Sequence, residues 1–145
     1  MIKLNIICIG RTKEPHFLSL TEDYIKRLKR YTSIEITEIK DSNPLSEAKK
    51  IRKCLESRKG YTVALGEEGK LLNSRQFAKK IESIPQSLNF IIGGPDGLDS
   101  AFKSEVNEIL SLSPMTFPHE MALLFLSEQL YRAFSILNHS KYHRD

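Results

Sequence analysis

The residues best suited to chemistry lie near the C-terminal end of the 145-residue chain. Tyr142, His143 and Arg144 place an aromatic ring, a titratable imidazole and a guanidinium in succession. Such a set suits stacking on a nucleobase and contact with a phosphate. A terminal basic segment of this kind is, however, usually frayed and solvated. Taken alone, these residues leave both interpretations open.

Three more chemically capable residues lie on or next to a predicted helix that ends at Leu137. Glu128 and Arg132 stand four residues apart, which is the ordinary spacing of a surface ion pair. Their neighbours are mostly apolar, so the pair is predicted to be partly buried, at a cost that suggests a task. His119 follows Pro118 at the start of this helix, where it can simply cap or pack.

Residues 93–97 (GGPDG) form the only dense glycine cluster, directly after a predicted strand. Glycines here indicate either a tight turn that needs positive φ or a backbone that a ligand approaches closely. The first predicted strand is followed by Gly10 alone, so a dinucleotide-binding fingerprint is absent, and no P-loop motif occurs. The four histidines lack metal-ligand spacing, so no metal is expected.

The chain alternates between strand and helix patterns five times, which predicts an α/β fold with a mainly parallel sheet and helices on both faces. Strands are predicted at residues 2–9, 34–39, 61–65 and 89–92, with a short extended piece at 112–115. Charges in the second strand place it near an edge. Ligands in such sheets bind beyond the carboxyl ends of the strands. The candidate loops there are residues 65–66, 93–97 and 112–117.

The intervening helices are predicted from apolar residues at helical spacing and from capping residues. Each of the first four helices has a set of apolar positions that is expected to face inward: Phe17, Leu20, Tyr24, Leu28 and Tyr31; Leu45, Ala48, Ile51 and Leu55; Phe77, Ala78, Ile81 and Ile84; and Phe102, Val106, Ile109 and Leu110. The caps are predicted at Asn43–Pro44, at Ser74 and at Asp99 or Ser100.

The final helix is predicted to start with a Thr116 cap and Pro118 in its first turn, and Glu120 suits the positive end of its dipole. Unlike a surface helix with one apolar stripe, it is apolar on most sides. Its own sheet, a partner chain or both must therefore cover it.

Composition places the chain among ordinary globular proteins. A length of 145 residues and 40% hydrophobic content fit a single domain, residues 1–145. No apolar run reaches a membrane span, and the opening at Met1 shows no signal peptide. Cys8 and Cys54 are expected to be packing residues, and a cytoplasmic location is predicted. A net charge of +4 permits a polyanionic partner without demanding one.

Four segments together carry a family resemblance that spans essentially the whole chain. They are residues 90–98 (FIIGGPDGL), 110–119 (LSLSPMTFPH), 128–133 (EQLYRA) and 142–144 (YHR). In this combination the sequence resembles the bacterial ribosomal large subunit methyltransferase H family of SPOUT methyltransferases. The resemblance implies an α/β knot with a C-terminal trefoil, a sheet of five to six strands and a homodimer.

The same resemblance implies an activity and a set of site residues. The activity is methyl transfer from S-adenosyl-L-methionine to N3 of a pseudouridine in 23S rRNA of assembled ribosomes. The implied cofactor-binding residues are Leu65, Gly93, Gly94, Leu112, Ser113, Pro114, Met115, Thr116 and Phe117. The implied catalytic candidates are His119, Arg132, Tyr142, His143 and Arg144, with the tail completing the partner subunit's site. Arg132 or Arg144 would stabilise an anion on the pyrimidine, and His143 is a possible base.

Two departures from the family pattern are visible. Leu123 stands where relatives often have an arginine, and residues 138–141 (NHSK) lack the glycine and proline that many relatives carry before the final motif. The terminal turn is therefore expected to differ in shape. The sequence also leaves two other functions open: a non-enzymatic, ribosome-associated RNA-binding factor of the same fold, and a nucleotide-dependent oxidoreductase, which the missing fingerprint at Gly10 disfavours.

Overall fold

A computed structural model describes residues 2–145, and Met1, at the start of the predicted opening run, lies outside them. Strands and helices alternate along the whole chain, as predicted. The strands are β1 (Lys3–Ile9), β2 (Ser33–Ile39), β3 (Tyr61–Leu71), β4 (Leu88–Ile92) and β5 (Glu108–Ser111). The helices are α1 (Pro15–Leu28), α2 (Pro44–Glu56), α3 (Ser74–Ser83), α4 (Ser100–Glu105) and α5 (His119–Leu137).

The five strands form one sheet in the order β2-β1-β4-β3-β5. Every pair of neighbouring strands is parallel. The predicted parallel sheet is confirmed, with five strands, and β2 lies at an edge as its charges indicated. All the strands therefore end on the same side of the sheet, where the candidate loops gather.

Helices cover both faces of the sheet. On one face α1, α3 and α5 pack over the side chains of a core cluster that includes Leu4, Phe90 and Leu126. On the other face α2 and α4 cover a second cluster that includes Ile7, Ile51 and Phe102. Two positions that were expected to face inward are exposed instead, Leu20 on α1 and Leu45 on α2. Helix α1 also ends at Leu28, before Tyr31.

Short polar side chains cap the starts of α2, α3 and α4. Asn43 caps α2 by accepting a hydrogen bond from the Ser46 amide, and Asp99 caps α4. The prediction of Ser74 as the cap of α3 is wrong. Asn73 holds that position in a capping box with Gln76, which satisfies one more backbone donor than a lone serine would.

Strand β3 does not end at Gly66 as predicted but continues to Leu71. Its pairing with β5 shifts between Leu65 and Lys70, which both align with Leu110, so residues 66–69 bulge out of the ladder. A Cβ on Gly69 would lie 2.7 Å from the Ile109 backbone. The glycines therefore permit close approach of two backbones rather than ending the strand.

The predicted long fourth helix and the fifth strand at residues 112–115 are both wrong. Helix α4 stops at Glu105, and the strand is Glu108–Ser111, so Ile109 and Leu110 lie in β5. Hydrogen bonds with β3 decide this: the Asn107 amide donates to the Thr62 carbonyl at 3.0 Å, and the Thr62 amide donates to Asn107 Oδ1 at 2.8 Å. Short apolar runs of this kind fit the spacing of a helix as well as that of a strand, and pairing with a distant strand decides which one forms.

Helix α5 runs from His119 to Leu137 between α1 and α3, against the sheet. Pro118 precedes its first residue, and no side chain caps it, so the predicted Thr116 cap is wrong. Glu120 instead accepts hydrogen bonds from the amides of Lys13 and Glu14, and the bond from Lys13 lowers the pKa of Glu120. The sheet, α1 and α3 therefore cover most of this apolar helix within one chain.

Both cysteines are free and serve packing, as expected. Cys8 is buried in the core, and burial raises the pKa of its thiol to about 12. Cys54 packs against the α2 side of the sheet. Within residues 2–145, no helix is both long and apolar enough to cross a membrane.

The unusual NHSK segment, residues 138–141, forms the turn that ends α5. His139 has a φ of 58°, the left-handed conformation that favours glycine. The Ser140 amide donates to the Ser135 carbonyl at 2.9 Å and the His139 amide donates to the Ile136 carbonyl at 3.1 Å. These two bonds form a Schellman motif with histidine at its left-handed position.

Replacing His139 with Gly is therefore expected to stabilise the protein. The left-handed conformation costs a side-chain-bearing residue about 1 kcal/mol, which corresponds to a rise in Tm of about 3 °C for a domain of this size. Thermal unfolding followed by circular dichroism measures it. The matched control is Asn138→Gly, which loses the bond from Asn138 Nδ2 to the Phe134 carbonyl and should lower Tm. A fall in Tm with His139→Gly would contradict the interpretation.

Candidate functional site

A cleft of about 520 Å³ opens at the carboxyl ends of β3, β4 and β5. All three predicted loops contribute to its walls. The residues that line it are Leu65, Gly66, Glu67, Ile92, Gly93, Gly94, Pro95, Gly97, Leu98, Lys103, Leu112, Ser113, Met115, Thr116, Phe117, Pro118, His119 and Ala122. We call this cavity the carboxyl-edge cleft. Its volume falls within the range of about 300–1,000 Å³ that is typical of small-molecule sites.

The segment of residues 112–118 crosses the carboxyl edge of the sheet. It leaves β5 at one edge and reaches α5, whose first residue lies beside the end of β1. His119 Nε2 is 3.4 Å from the Arg11 carbonyl oxygen, and a Cβ on Gly10 would lie 3.1 Å from the same nitrogen. Because β3 and β4 lie between β5 and β1, the segment passes their ends and forms one wall of the cleft.

The glycine cluster forms a closed turn that is also a wall of the cleft. The Gly97 amide donates to the Gly94 carbonyl at 3.0 Å, and Gly97 has a φ of 76°. A Cβ on Gly93 would lie 3.0 Å from Leu98 Cγ and 3.2 Å from the Gly97 carbonyl carbon. The two interpretations of this cluster are therefore compatible, since the tight turn itself lines the cavity.

Eight of the nine predicted cofactor-binding residues line the carboxyl-edge cleft, and Pro114 is the exception, exposed in the middle of the crossing segment. The predictions missed two charged residues of the wall, Glu67 and Lys103. Glu67 lies in the bulge of β3, and Lys103 lies on α4 with its Nζ 2.9 Å from Glu68. The glycines at 66 and 69 are a local signal near Glu67, but in the sequence they predict the end of a strand rather than a bulge.

A second group of predicted residues meets on α5 and the C-terminal tail. Arg132 and Glu128 form an ion pair at 2.7 Å, with side chains only 23% and 17% exposed. The hydrogen bond from Arg132 to Glu128 raises the pKa of Arg132. Arg132 Nη1 lies 3.0 Å from His143 Nδ1, and its guanidinium carbon lies 4.8 Å from the centre of the Tyr142 ring. The predicted partial burial of the pair is confirmed.

The tail packs on helices of the same chain and is not frayed. The Tyr142 ring packs edge-on against Tyr131, with centroids 4.7 Å apart, and its hydroxyl lies 3.3 Å from that of Tyr24 on α1. Burial raises the pKa of Tyr142. Asp145 accepts two hydrogen bonds from Arg75 on α3. Arg144 is exposed and makes no ion pair within residues 2–145.

A second cavity, of about 670 Å³, lies between α3 and α5 and borders the carboxyl-edge cleft. Leu112 and Phe117 line both cavities. We call it the α3–α5 cavity, and its charged and amide groups are those of Asn73, Glu128, Gln129 and Arg132. His119, in contrast, faces the carboxyl-edge cleft. Of the five catalytic candidates, His119 lines the cleft, Arg132 lines the neighbouring cavity with Tyr142 and His143 packed behind it, and Arg144 is exposed.

This arrangement places a cleft for a small molecule beside a cavity that a cation borders. Two small groups bound one in each cavity would both lie against Leu112 and Phe117. Across residues 2–145 there is no group of three histidine, cysteine or acidic side chains that could hold a metal ion.

Comparisons with known proteins identify the class of protein to which this chain belongs. A family model described as "Predicted SPOUT methyltransferase" matches residues 2–143. A Haemophilus influenzae structure described as a probable methylase family protein shares the fold, with a TM-score of 0.62 over 98% of this chain and 70% of that one, at 15% identity.

Relatives narrow the class to one family. Proteins named "Ribosomal RNA large subunit methyltransferase H" from Synechococcus sp. (strain CC9311) and Natranaerobius thermophilus are 46% and 40% identical to this chain. The matches cover 98% of this chain in both cases, and 96% and 99% of the relatives. The chain therefore belongs to the ribosomal RNA large subunit methyltransferase H family of SPOUT methyltransferases.

Proposed function

We propose that this protein transfers a methyl group from S-adenosyl-L-methionine to N3 of a pseudouridine in 23S rRNA of the assembled ribosome. Family membership supports methyl transfer, and the names of the relatives support ribosomal RNA as the substrate. The observation that carries the proposal is that the carboxyl-edge cleft and the α3–α5 cavity are adjacent, since Leu112 and Phe117 line both. Methyl transfer needs a donor site and an acceptor site side by side.

The residues of the carboxyl-edge cleft fit S-adenosyl-L-methionine. Leu65, Leu98 and Leu112 provide apolar surface for a purine ring. Gly93 and Leu98 both line the cleft, and a Cβ on Gly93 would lie 3.0 Å from Leu98 Cγ, so glycine keeps this wall compact and leaves its backbone uncovered by a side chain. Peptide groups of residues 112–117 are available to bind polar edges. When bound, the donor supplies a methyl group that its sulfonium already activates.

The chain has two tasks in this reaction, orientation and charge stabilisation. Orientation comes from the walls of two rigid cavities, which hold the reacting groups in line. The acceptor is an imide nitrogen, which becomes nucleophilic as its proton leaves and negative charge spreads to the neighbouring carbonyls. Arg132, with a raised pKa and low exposure, is placed to stabilise that charge. His119 borders the donor side of the site.

We also propose a homodimer, a trefoil knot and a cytoplasmic location, as the family resemblance implies. Large apolar side chains remain exposed near the site, with Met115 at 74% and Phe125 at 37%. Phe125 borders the α3–α5 cavity, so a second copy would both cover apolar surface and enclose the acceptor side. Residues 112–118, which cross the ends of β3 and β4, are the segment that would form the knot.

The test uses ribosomes from a strain that lacks the gene. Incubation with the purified protein and the methyl donor should add one methyl group to a pseudouridine, located by mass spectrometry of digested 23S rRNA. Protein-free 23S rRNA is the matched substrate control and should be methylated much more slowly. No added methyl group on ribosomes, together with no binding of the donor in calorimetry, would favour a non-enzymatic RNA-binding factor instead.

A further inference from the structure

The His143 ring is engaged at both nitrogens. Its Nδ1 lies 3.0 Å from Arg132 Nη1, and its Nε2 lies 3.0 Å from Asp145 Oδ1. The side chain is only 11% exposed. The imidazole therefore bridges a guanidinium on α5 and a carboxylate in the tail.

The chemistry of these partners determines where the ring proton resides. A guanidinium can only donate hydrogen bonds, so Nδ1 must accept through its lone pair. An ionised carboxylate can only accept, so Nε2 must carry the proton. The resulting ring is neutral and has its proton on Nε2. Its single basic lone pair faces Arg132 and is not available to remove a proton from a substrate.

A second ion pair holds the carboxylate in place. Asp145 accepts from Arg75 Nε at 2.9 Å and from Arg75 Nη2 at 2.8 Å, a two-bond geometry that fixes the orientation of both groups. The bonds from Arg75 and His143 lower the pKa of Asp145 to about 2, so it is ionised at neutral pH. Four side chains from α3, the tail and α5 are thus linked by hydrogen bonds in the order Arg75, Asp145, His143, Arg132. We call this series of four side chains the clamp.

We propose that Asp145 and Arg75 are positioning residues, which fix His143 as the Nε2–H tautomer so that its Nδ1 holds the Arg132 guanidinium at the α3–α5 cavity. His143 then acts as a hydrogen-bonded spacer, and the earlier hypothesis that it is the base is replaced. The link to catalysis rests on the proposed function, whereas the tautomer and the clamp are properties of the protein without substrate. Both parts can therefore be tested separately.

The first test is ¹⁵N NMR of histidine-labelled full-length protein, with the His143 signals assigned by comparison with His143→Gln. The wild type should show a single Nε2–H tautomer with a proton that exchanges slowly with water. Asp145→Ala should speed that exchange and move both ¹⁵N shifts towards values of an unconstrained imidazole. Asp145→Asn, whose Oδ1 still accepts from Nε2, should restore most of the wild-type pattern. The clamp is overturned if the wild-type His143 ring exchanges rapidly between its two tautomers. It is also overturned if Asp145→Ala leaves the ¹⁵N shifts and the proton exchange of His143 unchanged.

The second test is methylation of ribosomes at saturating donor. Asp145→Ala should lower kcat about tenfold, as expected for a misplaced charge-stabilising group, with KM for ribosomes within twofold. Asp145→Asn should recover most of that loss. The matched control is Glu105→Ala, which removes a surface pair of the same two-bond geometry with Arg52 and should change neither kcat nor the NMR signals. A changed tautomer with an unchanged kcat overturns the positioning role. If the wild type methylates nothing, the proposed function fails while the NMR result still decides the clamp.

Discussion

Replacing Arg132 with Ala is expected to lower the rate of methyl transfer by about 100-fold or more, the usual effect of removing one group that stabilises charge in a transition state. The reason is its position: it borders the α3–α5 cavity, where Glu128, His143 and Tyr142 all fix the guanidinium. Single-turnover methylation of ribosomes, with the enzyme in excess, measures the chemical step. Arg132→Lys should recover only part of the rate, because an ammonium keeps the charge but cannot keep three directed contacts.

A structural effect of this substitution must be separated from a chemical one. Without Arg132 the Glu128 carboxylate, 17% exposed, loses its ion-pair partner and should destabilise the fold by about 1–3 kcal/mol. The double variant with Glu128→Gln removes that unpaired charge and should regain stability but not rate. Recovery of the rate in the double variant would contradict a direct role. Arg58→Ala, a similarly buried ion-paired arginine beside β2, is the matched control and should leave the rate unchanged.

The order of elements was predictable because most strands are short apolar runs between turn residues, and α2 and α4 carry the start signals Asn43 and Asp99. Prediction failed where one run fits two structures. Residues 106–110 have apolar spacing that suits a helix, yet the backbone of residue 107 bonds to Thr62, 45 residues earlier in the chain. Likewise the glycines at 66 and 69 indicate a turn locally, and only the approach of Ile109 shows that they belong to a bulge.

The carboxyl-edge cleft and the C-terminal tail also differ in how far the sequence predicts them. The carboxyl-edge cleft followed from the rule for parallel sheets and from the family resemblance, because most of its walls are segments that leave a strand or lead into a helix. Glu67 in the β3 bulge and Lys103 on α4 are the parts of the wall that this rule does not predict. The support of the tail did not follow. Tyr24 and Arg75 contact residues that are 118 and 70 positions away, and neither has an unusual local pattern. Contacts of this kind depend on how α1 and α3 pack beside α5, which local spacing does not encode.

Replacing Gly93 with Val is expected to weaken binding of S-adenosyl-L-methionine by about tenfold to 100-fold, if an overpacking cost of about 1–3 kcal/mol falls on the bound state. The first added carbon would already lie 3.0 Å from Leu98 Cγ and 3.2 Å from the Gly97 carbonyl carbon. Both residues line the carboxyl-edge cleft, and the turn is closed by the Gly97–Gly94 hydrogen bond. The turn must therefore shift as a unit, which moves a wall of the donor site. Calorimetric titration with the donor measures the loss.

Gly94 provides the matched control for this prediction, because it belongs to the same turn but faces different neighbours. A Cβ on Gly94 would lie 3.0 Å from Ile9 Cγ2, in the core between β1 and α2, rather than against Leu98. Gly94→Ala should therefore lower Tm more than Gly93→Ala does. Gly93→Ala, in contrast, should lower donor affinity more than Gly94→Ala does. Measuring both quantities for both variants separates a wall of the site from a support of the core. Equal losses of affinity in the two alanine variants would show that the turn responds as a whole to any added carbon, and that Gly93 has no particular relation to the donor.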